Sequence, residues 1–92
     1  MKGITFKPDF QELRAGARAE GFLLSLDYCL SQTDRQVSLD LSDVVYMDTT
    51  GFREVFNRLP HLYRVVPPRD PHTIERYNEW LDSKKGLSKN YL

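Results

Sequence analysis

The sequence of 92 residues contains one cysteine, no long apolar run and no net charge, and each scarcity excludes a class of protein. A single cysteine cannot form an internal disulfide, which is typical of proteins in a reducing compartment. No segment approaches the roughly 20 apolar residues that cross a bilayer. The N-terminal segment MKGITFKPDF also lacks the apolar stretch of a secretory signal. We therefore expect a cytoplasmic protein with no membrane partner.

The charge balance argues against nucleic acid as a partner. Lys and Arg total 13, and Asp and Glu also total 13, so the formal net charge is zero. A protein that binds nucleic acid by bulk electrostatic attraction needs a positive surplus. Zero net charge also removes self-repulsion, which is compatible with a homodimer. We expect a protein partner, and a homodimer stays open.

The order of strand and helix patterns predicts one α/β domain over residues 1–92, with a small mixed or parallel sheet and helices packed on it. Residues 37–41 alternate apolar and polar side chains, as a half-buried strand does. Residues 19–32 carry apolar side chains at helical spacing but also alternate, and the length of the segment favours a helix. A further helix over residues 51–59 ends at Pro60, because proline cannot continue the hydrogen-bond ladder.

The N-terminal segment is more weakly patterned. Residues 4–6 are β-prone, and Pro8 followed by Asp9 suits the centre of a tight turn. Residues 10–17 then fit either a returning strand or the first turns of a helix. Between these alternatives we favour the strand, which predicts an N-terminal hairpin.

The C-terminal segment predicts a strand followed by a helix. Residues 62–66 form the strand. Asp70 before Pro71 is a strong helix start, because aspartate caps the first N–H groups and proline fits the first helical position. Gly86 is the predicted end of this helix, and residues 86–92 form a frayed tail.

The densest chemistry lies in the turn Asp48-Thr49-Thr50-Gly51, between an apolar segment and the helix of residues 51–59. The turn brings two hydroxyls and a carboxylate to a place where backbone N–H groups and a positive helix end converge. The plain alternative is that Asp or Thr caps the helix and Gly permits the turn, with no further role.

The segment LDLSDVVYMDTTGF resembles the central motif of STAS domains, which occur in bacterial anti-anti-sigma factors and at the ends of sulfate transporters. The shared pattern is an apolar strand with an internal Asp, a short apolar bridge, then Asp, hydroxyl residues, Gly and an apolar residue before a helix. The resemblance implies a STAS-like fold and an anti-anti-sigma type of regulation by protein–protein interaction, with a kinase or an anti-sigma-like regulator as partner.

The resemblance also implies a site for phosphorylation or partner binding at this turn. Its residues are Asp48, Thr49, Thr50, Gly51, Phe52 and Arg53. In the anti-anti-sigma members the hydroxyl residue directly after Asp is phosphorylated, which by position is Thr49 here. A phosphate there adds roughly −1.5 to −2 charge and repels a partner docked on the helix. The chain departs from the family in its short helix and in carrying threonine where serine is usual.

A second set of aromatic and basic residues lies toward the C-terminus: Tyr63, Arg64, Arg76 and Trp80. Arg, Tyr and Trp are the residue types that most often anchor protein interfaces. If exposed, they predict an alternative function, a phage- or mobile-element-encoded protein inhibitor or adaptor without a phospho-switch. The simpler interpretation, which we favour, is that Tyr77 and Trp80 cover the sheet and have no further role.

Catalytic and metal-binding sets are not apparent in the sequence. Three aspartates offer oxygens to a hard cation, but their predicted elements point them in different directions: Asp40, Asp43 and Asp48. His61 and His72 have no further ligand at zinc spacing, and Cys29 lies on an apolar helix face without a His partner. An enzyme built on Asp48 lacks a general acid. We therefore expect no enzyme activity, no cofactor and no metal.

Overall fold

The computed structural model describes the backbone of residues 3–32 and 34–91 and the side chains up to residue 83. Its order of strands and helices confirms the predicted α/β class. The elements are β1 (Ile4–Phe6), β2 (Glu12–Leu13), α1 (Ala17–Gln32), β3 (Val37–Asp40), β4 (Tyr46–Met47), α2 (Thr49–Arg58), a 3-10 turn (Leu59–His61), β5 (Arg64–Val66) and α3 (Pro71–Tyr91).

The strands form a main sheet and a small second sheet. In the main sheet β3 lies between β1 and β5 and is parallel to both. In the second sheet β2 is parallel to β4. Parallel neighbours require a crossover connection, which α1 supplies between β1 and β3, and α2 between β3 and β5. Every pair among the described strands is therefore parallel.

The predicted N-terminal hairpin is wrong. β1 pairs with β3 instead of with its neighbour in sequence, and Phe6 is in register with Leu39. Within residues 10–17 only Glu12–Leu13 forms a strand, and it pairs with β4. The distant pairing is favoured because it places β1 beside the most buried strand of the molecule, where its apolar side chains contribute to the core.

The main sheet has one buried face and one face toward solvent. The buried face carries the in-register residues Phe6, Leu39 and Val65, and Leu39 has no exposed surface. The alternate positions form the outer face, with Thr5 and Arg64 exposed on either side of Ser38. This confirms the alternation predicted for the central strand, since successive side chains point to opposite faces.

The core is completed by an aromatic stack between α2 and α3. Phe52 and Phe56 are at most 1% exposed. The half-buried ring of Trp80 lies parallel to both, with centroid distances of 5.6 Å to Phe52 and 6.3 Å to Phe56. Tyr77 is also buried and contacts Phe56 at 5.1 Å between centroids. The stack joins α2 firmly to α3.

The predicted start of α3 is confirmed. The Oδ2 atom of Asp70 accepts a hydrogen bond from the backbone N–H of Thr73 at 3.0 Å, and Pro71 is the first helical residue. This backbone hydrogen bond, with a second from the Thr73 hydroxyl, holds the pKa of Asp70 below its ordinary value of 3.8. The hydroxyl has one hydrogen, which it shares between Asp70 Oδ2, at 2.9 Å, and the carbonyl oxygen of Val45, at 2.6 Å. The contact with Val45 holds the start of α3 against the segment before β4.

The helix ends are less well predicted. α2 ends at Arg58, and Pro60 lies in the 3-10 turn that follows, as expected of a proline. α3 continues past Gly86 to Tyr91, so the predicted end at Gly86 is wrong. A helix interior tolerates glycine at a cost of about 1 kcal/mol. The side chains of residues 84–92 lie outside the described residues, and the frayed tail stays a prediction.

Among the described residues, no helix has the length and apolar character needed to cross a membrane.

Candidate functional site

Asp48 holds together the two segments that form the candidate site. It is the N-cap of α2, with extended backbone angles. Its Oδ1 atom accepts a hydrogen bond from the N–H of Gly51 at 2.7 Å, and its Oδ2 atom accepts one from the N–H of Ala15 at 3.0 Å. One carboxylate therefore caps α2 and ties it to the loop between β2 and α1.

The threonine side chains lie on the surface at the first turn of α2. Thr49 and Thr50 are both exposed, and in the described part of the chain neither hydroxyl makes a hydrogen bond, because Asp48 caps the helix. Arg53 is also exposed and lies one helical turn after Thr49, on the same side of α2. These residues form an accessible polar surface beside the helix N-terminus.

Gly51 and Phe52 belong to the interior rather than to this surface. A Cβ atom at Gly51 would overlap the carbonyl oxygen of Leu13, so only glycine allows α2 to approach β2 this closely. Phe52 has no exposed surface and lies in the aromatic stack. The motif assigns both residues to the site. The structure places Phe52 out of reach of a partner and Gly51 at the base of the cleft beside Thr50, where both position the threonines.

A cleft of about 210 Å³ opens beside Thr50, between α1, α2 and the loop that joins β2 to α1. Its floor consists of buried apolar side chains: Leu13, Ala19 and Leu23. Glu20 of α1 and Glu54 of α2 line its two sides. The cleft is therefore apolar at its base and carries carboxylates at its rim.

The cleft continues along the two helices as a shallower depression of about 290 Å³. The two share Glu20, Leu23 and Glu54, and the depression adds Leu24 and Arg58. We call the cleft and the depression together the α1–α2 groove. The groove is not predicted from the sequence, although Leu24 lies off the core-facing stripe of α1 and so indicates apolar surface outside the core.

An ion pair closes the far end of the groove. The Nε and Nη2 atoms of Arg58 each donate to a carboxylate oxygen of Asp27 at 2.6 Å, and its Nη1 atom donates to Glu54 at 2.9 Å. The hydrogen bonds to Asp27 raise the pKa of Arg58 above its ordinary value, so the guanidinium stays charged. Because this bidentate pair bridges α1 and α2, it sets the width of the groove.

The three aspartates considered for a cation are separated in the fold. Asp40 accepts from the N–H of Ser42 at 2.9 Å, and Asp43 pairs with Lys7 at 2.8 Å and with Arg69 at 2.9 Å. Asp48 is engaged as the helix cap. Among the described residues, no group of His, Cys, Asp or Glu side chains is arranged to hold a metal ion.

The predicted aromatic and basic set is divided between two sides of the molecule. Tyr63 is 63% exposed at the start of β5, and Arg64 lies on the solvent face of the main sheet. Trp80 packs in the aromatic stack, and the Arg76 guanidinium lies 5.1 Å from the centroid of the Phe52 ring. Trp80 and Arg76 therefore cover core residues of α2, whereas the sequence predicts that Trp80 covers the sheet.

Replacing Asp48 by alanine is expected to lower the free energy of unfolding by about 2 kcal/mol, because the helix cap and the bond to the loop are lost together. Urea unfolding measures this effect. Asp9→Ala is the control, since Asp9 is exposed and makes no hydrogen bond in the described part of the chain. Its change is expected to stay within about 0.5 kcal/mol. Equal losses for the two variants would contradict the clamping role of Asp48.

The chain matches no family model, no curated protein and no solved structure in the comparisons made with them. The resemblance to STAS domains therefore rests on the motif LDLSDVVYMDTTGF and stays a prediction.

Proposed function

We propose that this protein is a small cytoplasmic regulatory module that binds another protein and is not an enzyme. Its binding surface consists of Thr49, Thr50 and Arg53 together with the α1–α2 groove. The observation that carries the proposal is the exposed threonine pair at a firmly capped helix start, with Thr50 itself lining the groove. A partner that contacts the groove would therefore also contact the threonines.

We further propose that phosphorylation of Thr49 switches this binding. A phosphate at this position would lie at the positive end of α2, with the Arg53 guanidinium one turn away. Asp48 adds a like charge, but its carboxylate oxygens are held by the N–H groups of Gly51 and Ala15. The added charge would therefore alter the surface offered to a partner while α2 and its cap stay in place.

The test combines intact-mass analysis of the protein isolated from its host with pull-down of its partners. We expect the mass of one added phosphate, and we expect it to be absent from Thr49→Ala isolated in the same way, which assigns it to Thr49. We also expect Thr49→Glu, which imitates the added negative charge, to change the set or the amount of captured proteins, while Thr49→Ala retains the profile of the unmodified protein.

Thr5→Glu is the matched control for this pull-down. It adds the same charge at an exposed threonine on the outer face of the main sheet, away from α2. We expect Thr5→Glu to leave the partner profile unchanged. A profile for Thr49→Glu that matches that of the wild type would refute the switch.

A further inference from the structure

The outer side of α1 carries apolar side chains that the core does not use. Leu24 is 68% exposed and Tyr28 is 69% exposed. They are four residues apart, so they lie one above the other on the same side of the helix. Leu24 also lines the α1–α2 groove, whose floor contains the buried Leu23. The apolar floor of the groove thus extends onto an apolar strip that faces solvent.

The charges around this groove are unevenly balanced. Arg58 is shared between Asp27 and Glu54, so its single positive charge offsets only one of these carboxylates. Glu20 lies on the opposite side and has no ion-pair partner in the described part of the chain. At the other end of the groove Arg14 is balanced by Glu12 at 3.6 Å. Arg53 adds a positive charge beside Glu54. The surroundings of the groove stay net negative, because four carboxylates (Glu12, Glu20, Asp27 and Glu54) face three arginines (Arg14, Arg53 and Arg58).

The net negative charge favours some binding partners of the groove over others. A second copy of the chain, bound about a two-fold axis, would bring the carboxylates of both copies together. An acidic partner would meet the same repulsion. A cationic partner would instead neutralise Glu20 and the excess charge near Glu54, which favours both association rate and specificity.

We propose that the α1–α2 groove binds an amphipathic helix of a partner protein, with apolar side chains on Leu23 and Leu24 and with Lys or Arg beside Glu20 and Glu54. The length supports a helix, since α2 extends about 12 Å from Thr50 to Arg58, enough for about two turns of a partner helix. This inference rests on the proposed function and names the chemistry of the partner. It also fixes the sign of the switch, because a negative charge at Thr49 attracts a cationic helix, whereas the sequence motif alone predicts repulsion.

The experiment uses the full chain, labelled with ¹⁵N, and a designed peptide of about 14 residues. The peptide carries leucine along one side of its helix and lysine along the other. We expect the peptide to shift the amide signals of Leu23, Leu24 and Glu54. Glu20→Lys is expected to raise the Kd of the peptide about five- to tenfold, and Leu24→Ser is expected to raise it about tenfold. Both side chains are exposed, so the variants should melt at the temperature of the wild type.

Two matched variants control for charge and for apolar content. Glu75→Lys makes the same charge change on the exposed side of α3, and Val45→Ser removes an exposed aliphatic side chain from the segment before β4. Both are expected to leave the Kd within about twofold of the wild type. The inference is overturned if these controls weaken binding as much as Glu20→Lys and Leu24→Ser do.

Other occupants of the groove give distinct results, and each of them overturns the inference. Equal binding of a leucine–glutamate peptide would show that charge plays no part. Shifts at Leu24 that depend on protein concentration without peptide would assign the groove to a second copy of the chain.

Failure of this inference can be distinguished from failure of the proposed switch. If Thr49→Glu alters the pull-down while changes at Glu20 and Leu24 have no effect on peptide binding, the proposed function stands and the helix-binding groove is refuted. If peptide binding depends on Glu20 and Leu24 while the Thr49→Glu pull-down matches the wild type, the groove is supported and the switch at Thr49 is refuted.

Discussion

Replacing Gly51 by alanine is expected to lower the free energy of unfolding by about 3 kcal/mol, at the upper end of the usual cost of overpacking. The new Cβ atom would overlap the carbonyl oxygen of Leu13, a backbone atom that cannot rotate away. To relieve the overlap, α2 must move away from β2, and that movement stretches the hydrogen bond from the N–H of Ala15 to Asp48, which joins α2 to the loop after β2. Urea unfolding of the purified variant measures the loss.

Gly21→Ala is the matched control. Gly21 lies inside α1, and a Cβ atom there meets nothing within 4 Å. Because alanine has a higher helix propensity than glycine, this variant is expected to gain about 0.5–1 kcal/mol. The same substitution should thus have opposite effects at the two positions. A loss at Gly51 no larger than about 0.5 kcal/mol would show that the contact with Leu13 relaxes without cost.

Replacing Phe52 by alanine is expected to have the largest effect, a loss of about 3–5 kcal/mol, because it removes a fully buried ring. The ring packs against Phe56, at 6.5 Å between centroids, and against Trp80, at 5.6 Å, and the Arg76 guanidinium covers it at 5.1 Å. Its removal leaves a cavity between α2 and α3 that these partners cannot close. Such a loss is a large share of the roughly 5–15 kcal/mol that typically stabilises a domain.

Fluorescence of Trp80, the single tryptophan of the chain, follows this change directly because its ring stacks on Phe52. We expect the Trp80 emission spectrum of folded Phe52→Ala to differ from that of the wild type. We also expect the variant to reach its unfolding midpoint at a lower urea concentration. Tyr63→Ala is the control, since Tyr63 is 63% exposed, and its effect is expected to stay within about 0.5 kcal/mol. Similar losses for the two aromatic residues would contradict the placement of Phe52 in the core.

These two predictions concern residues that the motif assigns to a binding surface. Gly51 and Phe52 contribute to the candidate site indirectly, because they hold α2 where Thr49 and Thr50 face solvent beside the groove. Pull-down with Gly51→Ala or Phe52→Ala would therefore mix loss of stability with loss of binding. The exposed residues Thr49, Glu20 and Leu24 test binding without this complication.

Part of the candidate site could be predicted from neighbouring residues alone. The turn at Asp48 and the helix after it follow from the preference of Asp for the N-cap and of Gly for close backbone approach. The structure begins α2 at Thr49, two residues before the predicted start, because Asp48 and not a threonine is the cap. The groove could not be predicted, since α1 and α2 are separated by about 16 residues and share no local pattern.

Short-range sequence patterns are enough to specify the α/β class, the helical character of α1, the alternation of β3 and the start of α3 at Asp70 and Pro71. Each of these depends on side chains within a few residues of one another, where backbone preference and local hydrogen bonds decide. No such pattern specifies the pairing of β1 with β3, the hydrogen bond from Ala15 to Asp48, or the groove between α1 and α2. The physical reason is that such contacts join residues about 30 positions apart, whose meeting depends on the burial of the whole core.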